Sequence, residues 1–223
     1  MPRVTPILRR AHKAIEELDL LKVLQSEINH ELSSHRFQTG ESGSPEDFVL
    51  EWDSPKSQDV VLRKKCASGE EVAISALLGG DTFQGDGSFP REALVKICVK
   101  KPGLNSLLQF DCVASRKGGN ESEFDIQNAN YMHSPSSLDS SFYKGPPFSS
   151  LDPDLQHELK QYLATRGIGE DFINFLLLYL HRKEQGQYVN WLQKLKDIIG
   201  ENSERHLHGA EFVPHSNVTS KKS

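Results

Sequence analysis

The 223-residue sequence has no apolar segment long enough to cross a membrane. Its longest apolar run, residues 172–180, is interrupted by Asn174 and is far shorter than the ~20 residues that a transmembrane helix requires. The residues after Met1 also lack the apolar stretch of a secretory signal. We therefore expect neither insertion into a membrane nor secretion.

Cysteine is scarce. Cys66, Cys98 and Cys112 are the three cysteines, and no two of them form a C-x-x-C pair. An odd number without that spacing argues against a disulfide framework and against a structural zinc site. Because Cys98 and Cys112 lie in apolar, strand-like runs, we predict buried and reduced thiols. This pattern indicates a reducing compartment, which is the cytosol, the nucleus or the mitochondrial matrix.

Motifs that would carry catalysis are missing as well. His30 and His35 resemble the zinc-protease pattern H-E-x-x-H, but one additional residue between them places the two rings on different faces of a helix. The glycines at 79–80 and 85–87 match neither a Walker loop nor a dinucleotide-binding fingerprint. We find no nucleophile elbow and no paired carboxylates. We therefore predict a protein that is not an enzyme, with no catalytic, metal-binding or cofactor-binding residues.

Charge is unevenly distributed, although the net value is only −5. Residues 1–15 contain four basic side chains and no acidic one, so the remainder of the chain carries −9. An acidic body favours basic protein partners and disfavours nucleic acid. The basic start fits a short mitochondrial import signal and fits the positive start of a helix equally well.

Two basic clusters, at residues 63–65 and 100–101, admit two interpretations. They could contact RNA phosphates, which makes an RNA-binding module the alternative function. They could instead be exposed charges at strand ends that discourage pairing of sheet edges, and we favour this second interpretation.

Both ends of the chain have helical patterns. The first helix is predicted over residues 6–33, with a heptad-like apolar stripe in which Gln25 fills the missing position. Near the other end, Asp152 and Pro153 are typical of a helix start, and Gly167 of a helix end. A further helix begins near Glu170 and includes the buried run 172–180. The apolar positions of the first stripe are Ile7, Ala11, Ala14, Leu18, Leu21, Ile28 and Leu32.

The last helix carries a second heptad-like stripe. We expect Gly186 to bend or interrupt this helix, Gly200 to end it, and residues 201–223 to form a disordered tail. The stripe consists of Tyr188, Trp191, Leu192, Leu195, Ile198 and Ile199.

The two stripes require partners, and the simplest solution pairs the first helix with the last one, across the sheet or between subunits. Each candidate contact is therefore either ordinary core or a contact between the helices of an oligomer. The candidate interface residues are Leu18, Leu21, Ile28, Tyr188, Trp191 and Leu195.

The middle of the chain alternates between apolar and polar residues with period two, as half-buried strands do. No helical pattern interrupts these strands, so we predict an antiparallel meander of hairpins and an α+β fold. Polar linkers separate the strands, at residues 38–46, 79–90, 115–122 and 134–141. The predicted strands lie near residues 48–52, 60–66, 72–78, 95–99 and 108–112, with a weaker one near 124–131.

The C-terminal third resembles the mitochondrial glycoprotein family of acidic matrix and complement-receptor-like proteins, and its plant branch most of all. The specific likeness covers residues 143–199, and residues 52–55 add a smaller signal. The residues that carry it are Tyr143–Phe148, Leu151-Asp152, Leu155-Gln156, Tyr162-Leu163, Arg166–Ile168, Phe175-Leu176, Lys183-Glu184, Tyr188 and Trp191-Leu192-x-x-Leu195.

The resemblance implies a twisted antiparallel sheet of about seven strands, flanked by one N-terminal and two C-terminal helices. It also implies a doughnut-shaped homotrimer with coiled-coil contacts between terminal helices, formed here by one domain over residues 1–200. Its members are non-enzymatic binding and chaperone-like proteins of the mitochondrial matrix that support respiration and mitochondrial RNA or ribosome function. The absence of a long presequence leaves the cytosol or the nucleus as the alternative location.

Overall fold

The computed structural model describes residues 5–33, 47–79, 92–116, 122–133 and 143–208. Within these ranges the chain forms an antiparallel sheet preceded by one helix and followed by two, as predicted. The helices are α1 (Thr5–Ser33), α2 (Pro153–Ala164) and α3 (Glu170–His208), with a short 3-10 helix at Phe148–Ser150 before α2. The strands are β1 (Val49–Asp53), β2 (Val60–Lys65), β3 (Glu71–Leu78), β4 (Ala93–Lys100), β5 (Leu107–Arg116) and β6 (Ser122–Met132).

Each strand pairs antiparallel with the next strand in the sequence, so the sheet order is β1-β2-β3-β4-β5-β6. This order confirms the predicted meander of hairpins, with six strands in the described ranges where the resemblance implied about seven. Two tight turns contain a glycine with positive φ, Gly69 at +81° and Gly103 at +77°. A residue with a side chain rarely adopts such a φ, which explains why glycine stands at these two turns.

One face of the sheet supplies half of the main core. Along β3, Val72, Ile74 and Ala76 are fully buried, whereas the residues between them are only partly buried. This alternation confirms the period-two pattern seen in the sequence. The N-terminal part of α3 covers that face with the predicted apolar run, because Phe172, Leu176 and three further side chains of residues 172–180 are buried in the same cluster.

The caps of α2 follow the predicted chemistry. The Asp152 carboxylate accepts a hydrogen bond from the backbone N–H of Asp154 at 2.9 Å, and Pro153 occupies the first turn. At the other end Gly167 has φ +88°, and the N–H of Ile168 donates to the carbonyl of Leu163 at 3.2 Å. These bonds use backbone groups that a helix end leaves unpaired.

The predicted end of α3 at Gly200 is wrong, and of the bend or interruption predicted at Gly186 the interruption is wrong. The helix passes through Gly186 without interruption, and it continues beyond Gly200 to His208. A glycine inside a helix costs about 1 kcal/mol relative to alanine. That cost is small enough for the hydrogen-bonded turns on either side of each glycine to outweigh it. The part of the predicted tail from 209 onwards lies outside the described residues.

The linker predicted at 115–122 is also too long, because β5 continues to Arg116 and β6 begins at Ser122. The stretches 38–46, 80–90 and 134–141 lie outside the described residues.

The chain divides into two compact units. One comprises Met1–His35 and Tyr188–Ser223, so it contains α1 and the C-terminal part of α3. The other is Arg36–Gln187, with the sheet, α2 and the N-terminal part of α3. The division into a domain at 1–200 and a tail at 201–223 stays a prediction.

Candidate helix interface

The unit built from the two terminal helices has its own small core. Leu24 and Ile28 lie one turn apart on α1, and together with Leu192 of α3 they are at most 7% exposed. Their burial shows that the two helices pack against each other along these positions. The partly buried side chains around this cluster are Val189, Leu195 and Ile199.

Polar contacts flank this apolar cluster. The Tyr188 hydroxyl donates to Glu27 Oε1 at 3.2 Å, and Lys196 Nζ donates to Gln25 Oε1 at 2.6 Å. Desolvation, followed by the charge of Glu27, raises the pKa of the Tyr188 hydroxyl. The hydroxyl therefore keeps its proton at neutral pH and remains a donor to the carboxylate.

The six predicted interface residues fall into two groups. Ile28 is buried, and Leu21 and Leu195 are partly buried, so these three belong at least in part to the packing within one chain. Leu18 and Trp191 are 51% and 53% exposed. Tyr188 is also exposed, and its ring stacks on Trp191 with the ring centroids 5.9 Å apart.

The sequence pattern missed Leu24 and assigned its place to Gln25. A straight α-helix has 3.6 residues per turn, so a strict heptad drifts off the buried face over several turns. Leu24 and Ile28 are four residues apart and share that face, whereas Gln25 bonds to Asn29 Oδ1 at its edge. The signal was available, because Leu20, Leu24 and Ile28 also recur every four residues.

A second apolar stripe on α3 borders the cluster, and its member Leu195 also packs against the cluster. Tyr188, Trp191, Leu195 and Ile198 recur at spacings of three and four, which places them along one side of the helix. Trp191 and Ile198 are more than half exposed. The first helix also exposes large apolar side chains, namely Ile15, Leu18, Leu20, Val23 and Leu32. Grouped exposed apolar side chains are typical of protein interaction surfaces.

The basic clusters of the sheet make ion pairs within the chain. Arg63 Nε lies 2.8 Å from Glu51 Oε2, and its guanidinium also lies 3.8 Å from Glu71. Lys101 Nζ lies 4.0 Å from Glu70 Oε1. These pairs support the interpretation as surface charges on strands more than the interpretation as a phosphate-binding site.

The three cysteines are free thiols. Cys112 is buried as predicted, and burial, followed by the charge of Asp111, raises its pKa to about 12. Cys98 is only partly buried, contrary to the prediction, because it lies on the sheet face opposite to Cys112, which faces the main core.

The described residues contain no group of three or more His, Cys, Asp or Glu side chains that could hold a metal ion. None of the described helices is both long and apolar enough to cross a membrane.

Residues 81–199 match the mitochondrial glycoprotein family. A mitochondrial protein of Arabidopsis thaliana, itself uncharacterized, is 29% identical over 198 residues, which are 82% of this chain and 75% of the relative. The mitochondrial acidic protein mam33 of Schizosaccharomyces pombe is 32% identical over 126 residues, which are 50% of this chain and 45% of the relative. The chain thus spans less than half the length of that yeast relative.

Two solved structures share the fold. One is a hypothetical protein of Leishmania major described as a sequence homologue of human p32, with a TM-score of 0.66 at 17% identity. The other is the p22 protein of Trypanosoma brucei, with a TM-score of 0.66 at 18% identity. They cover 82% and 83% of this chain and 99% of their own lengths.

Proposed function

Because the chain belongs to the mitochondrial glycoprotein family, we propose that it is a non-enzymatic, acidic binding protein of the mitochondrial matrix that works as a homotrimer. Its role is chaperone-like, in support of respiration and of mitochondrial RNA or ribosome function. The names of its relatives support the mitochondrial location. We propose three copies because the resemblance at residues 143–199 implies a trimer.

The exposed apolar surface of the terminal helices is the observation that carries this proposal. One stripe of α3 is covered by α1, through the cluster of Leu24, Ile28 and Leu192. The adjacent stripe, with Trp191 and Ile198, is exposed in the single chain. A helix that is apolar on two adjacent sides suits a bundle of more than two helices, because one neighbour covers only one side. Other copies of the same chain supply the missing cover.

The acidic side chains in residues 15–33, the C-terminal part of α1, give the assembly a surface for basic proteins. Residues 15–33 contain five carboxylates and one lysine, Lys22. That lysine already pairs with Asp19 at 3.1 Å, and both side chains are exposed. A local excess of negative charge attracts basic partners and accelerates their encounter, with an effect that salt weakens.

Light scattering coupled to gel filtration tests the assembly. We expect the native chain to have three times the mass of one chain at micromolar concentration. Trp191→Glu and Leu18→Glu each place a charge in the exposed stripes, so we expect them to dissociate the trimer while the chain remains folded. Asn190→Glu is the matched control, since Asn190 is exposed on the same helix and precedes Trp191 directly.

A native chain that is monomeric at micromolar concentration would disprove the trimer. An Asn190→Glu variant that dissociates as readily as Trp191→Glu would show that charge alone, and not the apolar stripe, controls the mass. Fluorescent tagging at the C-terminus tests the location, for which we expect a signal inside mitochondria, and capture of partners from that compartment should return mainly basic proteins.

A further inference from the structure

The turn between β1 and β2, residues 53–59, is held by three side chains of α3. Tyr179, Lys183 and Gln187 recur every four residues, so they lie along one side of that helix. All of them lie in the compact unit that contains the sheet. The Lys183 side chain is only 7% exposed, which is unusual for a lysine.

The Lys183 ammonium uses its full donor capacity on this turn. It donates to Asp53 Oδ1, to the carbonyl of Ser54 at 3.0 Å and to the carbonyl of Asp59 at 3.0 Å. A lysine has three N–H donors, so each of them has one oxygen partner here. The second oxygen of Asp53 accepts a hydrogen bond from the Tyr179 hydroxyl. The buried charge is therefore both paired and fully hydrogen-bonded.

The Gln187 amide holds the middle of the same turn. Its Nε2 donates to the carbonyl of Pro55 at 3.1 Å and to the carbonyl of Ser57 at 2.8 Å. Within the turn, the N–H of Ser57 donates to the carbonyl of Ser54 at 3.1 Å. Four backbone carbonyls of one short segment thus accept hydrogen bonds from α3. This number of contacts fixes the turn in one conformation.

The sheet itself holds β1 weakly. Among the described strands β1 lies at the edge of the sheet, where its one partner is β2, and all five of its residues are exposed. Its pairing also shifts register between Leu50 and Trp52. An edge strand with one neighbour and no buried side chain gains little from packing. Its last residue, Asp53, is the point at which α3 holds it.

The protonation states at neutral pH match these contacts. Burial alone would raise the pKa of Asp53, but the hydrogen bonds from Lys183 and Tyr179 and the charge of Lys183 outweigh burial and lower it. Burial, the hydrogen bond to Asp53 and the charge of Asp53 together raise the pKa of Tyr179 to about 12. The carboxylate is therefore ionised and the phenol is a neutral donor.

We propose that Asp53, Tyr179, Lys183 and Gln187 form a latch that keeps β1 at the edge of the sheet, and that opening this latch releases β1 while the remaining strands stay folded. The latch holds the C-terminal end of the strand. The rest of β1 is held by its irregular pairing with β2, by the ion pair between Glu51 and Arg63, and by Phe48, which precedes the strand and is buried in the main core. Releasing β1 uncovers the paired edge of β2. The latch thus controls whether the sheet ends at β1 or at β2.

Amide hydrogen exchange on the full-length chain tests this proposal. Lys183→Met removes the ammonium and keeps most of the side-chain length. We expect the exchange of β1 and of residues 54–59 to accelerate about 30-fold or more, because the Asp53 carboxylate and the carbonyls of Ser54 and Asp59 lose their donor. The exchange of β3 and β4 should change by less than about 2-fold. Lys194→Met is the matched control, since Lys194 is exposed on the same helix, and it should leave the exchange of β1 unchanged.

Two results would overturn the latch. Unchanged exchange of β1 in Lys183→Met would show that strand pairing alone holds the edge. Equal acceleration of β1, β3 and β4 would show that Lys183 contributes only to global stability. A double variant, Asp53→Asn with Lys183→Met, should accelerate the exchange of β1 no more than Lys183→Met does, because the two side chains act as one unit. Additive effects would contradict that unit.

A milder pair of variants covers the case in which Lys183→Met does not fold. Tyr179→Phe removes one hydroxyl, and Gln187→Leu removes one amide. Each should accelerate the exchange of β1 about 3-fold to 10-fold, in proportion to the one or two hydrogen bonds that are lost, and should leave β4 unchanged. If neither variant accelerates the exchange of β1 more than that of β4, the proposal is refuted.

Discussion

Truncation of two adjacent residues of α3 should affect two different properties, folding in one case and assembly in the other. Leu192 is buried in the cluster with Leu24 and Ile28, whereas Trp191 is 53% exposed. Leu192→Ala therefore removes packing within one chain. Trp191→Ala removes an exposed ring whose partner, in our account, is another copy of the chain. Comparing these two variants therefore distinguishes the contribution of the helix to folding from its contribution to assembly.

The magnitudes follow from burial. Replacing a buried leucine by alanine costs about 2–5 kcal/mol, and the larger values belong to sites that cannot collapse. The cluster around Leu192 has only three buried members and a rim of partly exposed side chains, so we expect about 2–3 kcal/mol. Trp191→Ala loses partial burial and the stacking on Tyr188, for which we expect about 1 kcal/mol in the isolated chain.

Urea unfolding followed by far-ultraviolet circular dichroism measures both effects, at two protein concentrations about 30-fold apart. Assembly stabilises the folded state by an amount that grows with the logarithm of the protein concentration, so the native midpoint should rise with concentration and the midpoint of Trp191→Ala should not. A cost below about 1 kcal/mol for Leu192→Ala would refute the packing of α1 on α3. An equal cost for both variants at the lower concentration would refute the assignment of Trp191 to the exposed stripe.

Three further predictions concern the sheet unit. Arg166 pairs with Glu70 at 2.7 Å, and both side chains are at most 14% exposed, so Arg166→Met should cost about 3 kcal/mol in thermal or urea unfolding, and Arg166→Lys should not restore it. The raised pKa of Cys112, about 12, should keep this thiol unreactive towards iodoacetamide in the native chain, and mass spectrometry should find it modified only after unfolding. Because the pKa of Asp53 is lowered on folding from its ordinary 3.8, its contribution to stability is complete above that value and is lost as the pH falls through the lowered pKa. Urea titrations at neutral pH and at about pH 3 should therefore show a larger acid-induced loss in the native chain than in Asp53→Asn, and equal losses would contradict the bonded carboxylate.

Local patterns in the sequence predicted the parts of the fold that local chemistry decides. The alternation of Val72, Ile74 and Ala76 was sufficient to predict a half-buried strand, because successive side chains of a strand point to opposite faces of the sheet. Asp152 was sufficient to predict the start of α2, since its carboxylate accepts a hydrogen bond from a backbone N–H only two residues away. In both cases the partners are near in the chain.

Features that depend on distant contacts could not be predicted in the same way. The choice between Leu24 and Gln25 depends on how α1 rotates against α3, and a heptad count does not contain that rotation. The continuity of α3 through Gly186 depends on the turns around it, which outweigh a weak local preference.

The latch is the clearest example of such a feature. Asp53 and Lys183 are 130 residues apart in the sequence, and only the fold brings them together. Nothing in either segment specifies the other, because hydrogen bonds between backbone carbonyls and a side chain leave no periodic pattern.

The most direct test of assembly through the second stripe of α3 is to measure how accessible the Trp191 ring is to a soluble quencher. The chain has two tryptophans, so Trp52→Phe leaves Trp191 as the sole fluorescent indole. Acrylamide quenching is then followed as the protein is diluted from a concentration at which light scattering reports the trimer. We predict that Trp191 is shielded in the trimer and becomes accessible over the same dilution range in which the mass falls to that of one chain. A Trp191 that is equally accessible at every concentration, while the mass changes, would contradict the central claim that the exposed stripe of α3 is the surface on which the copies meet.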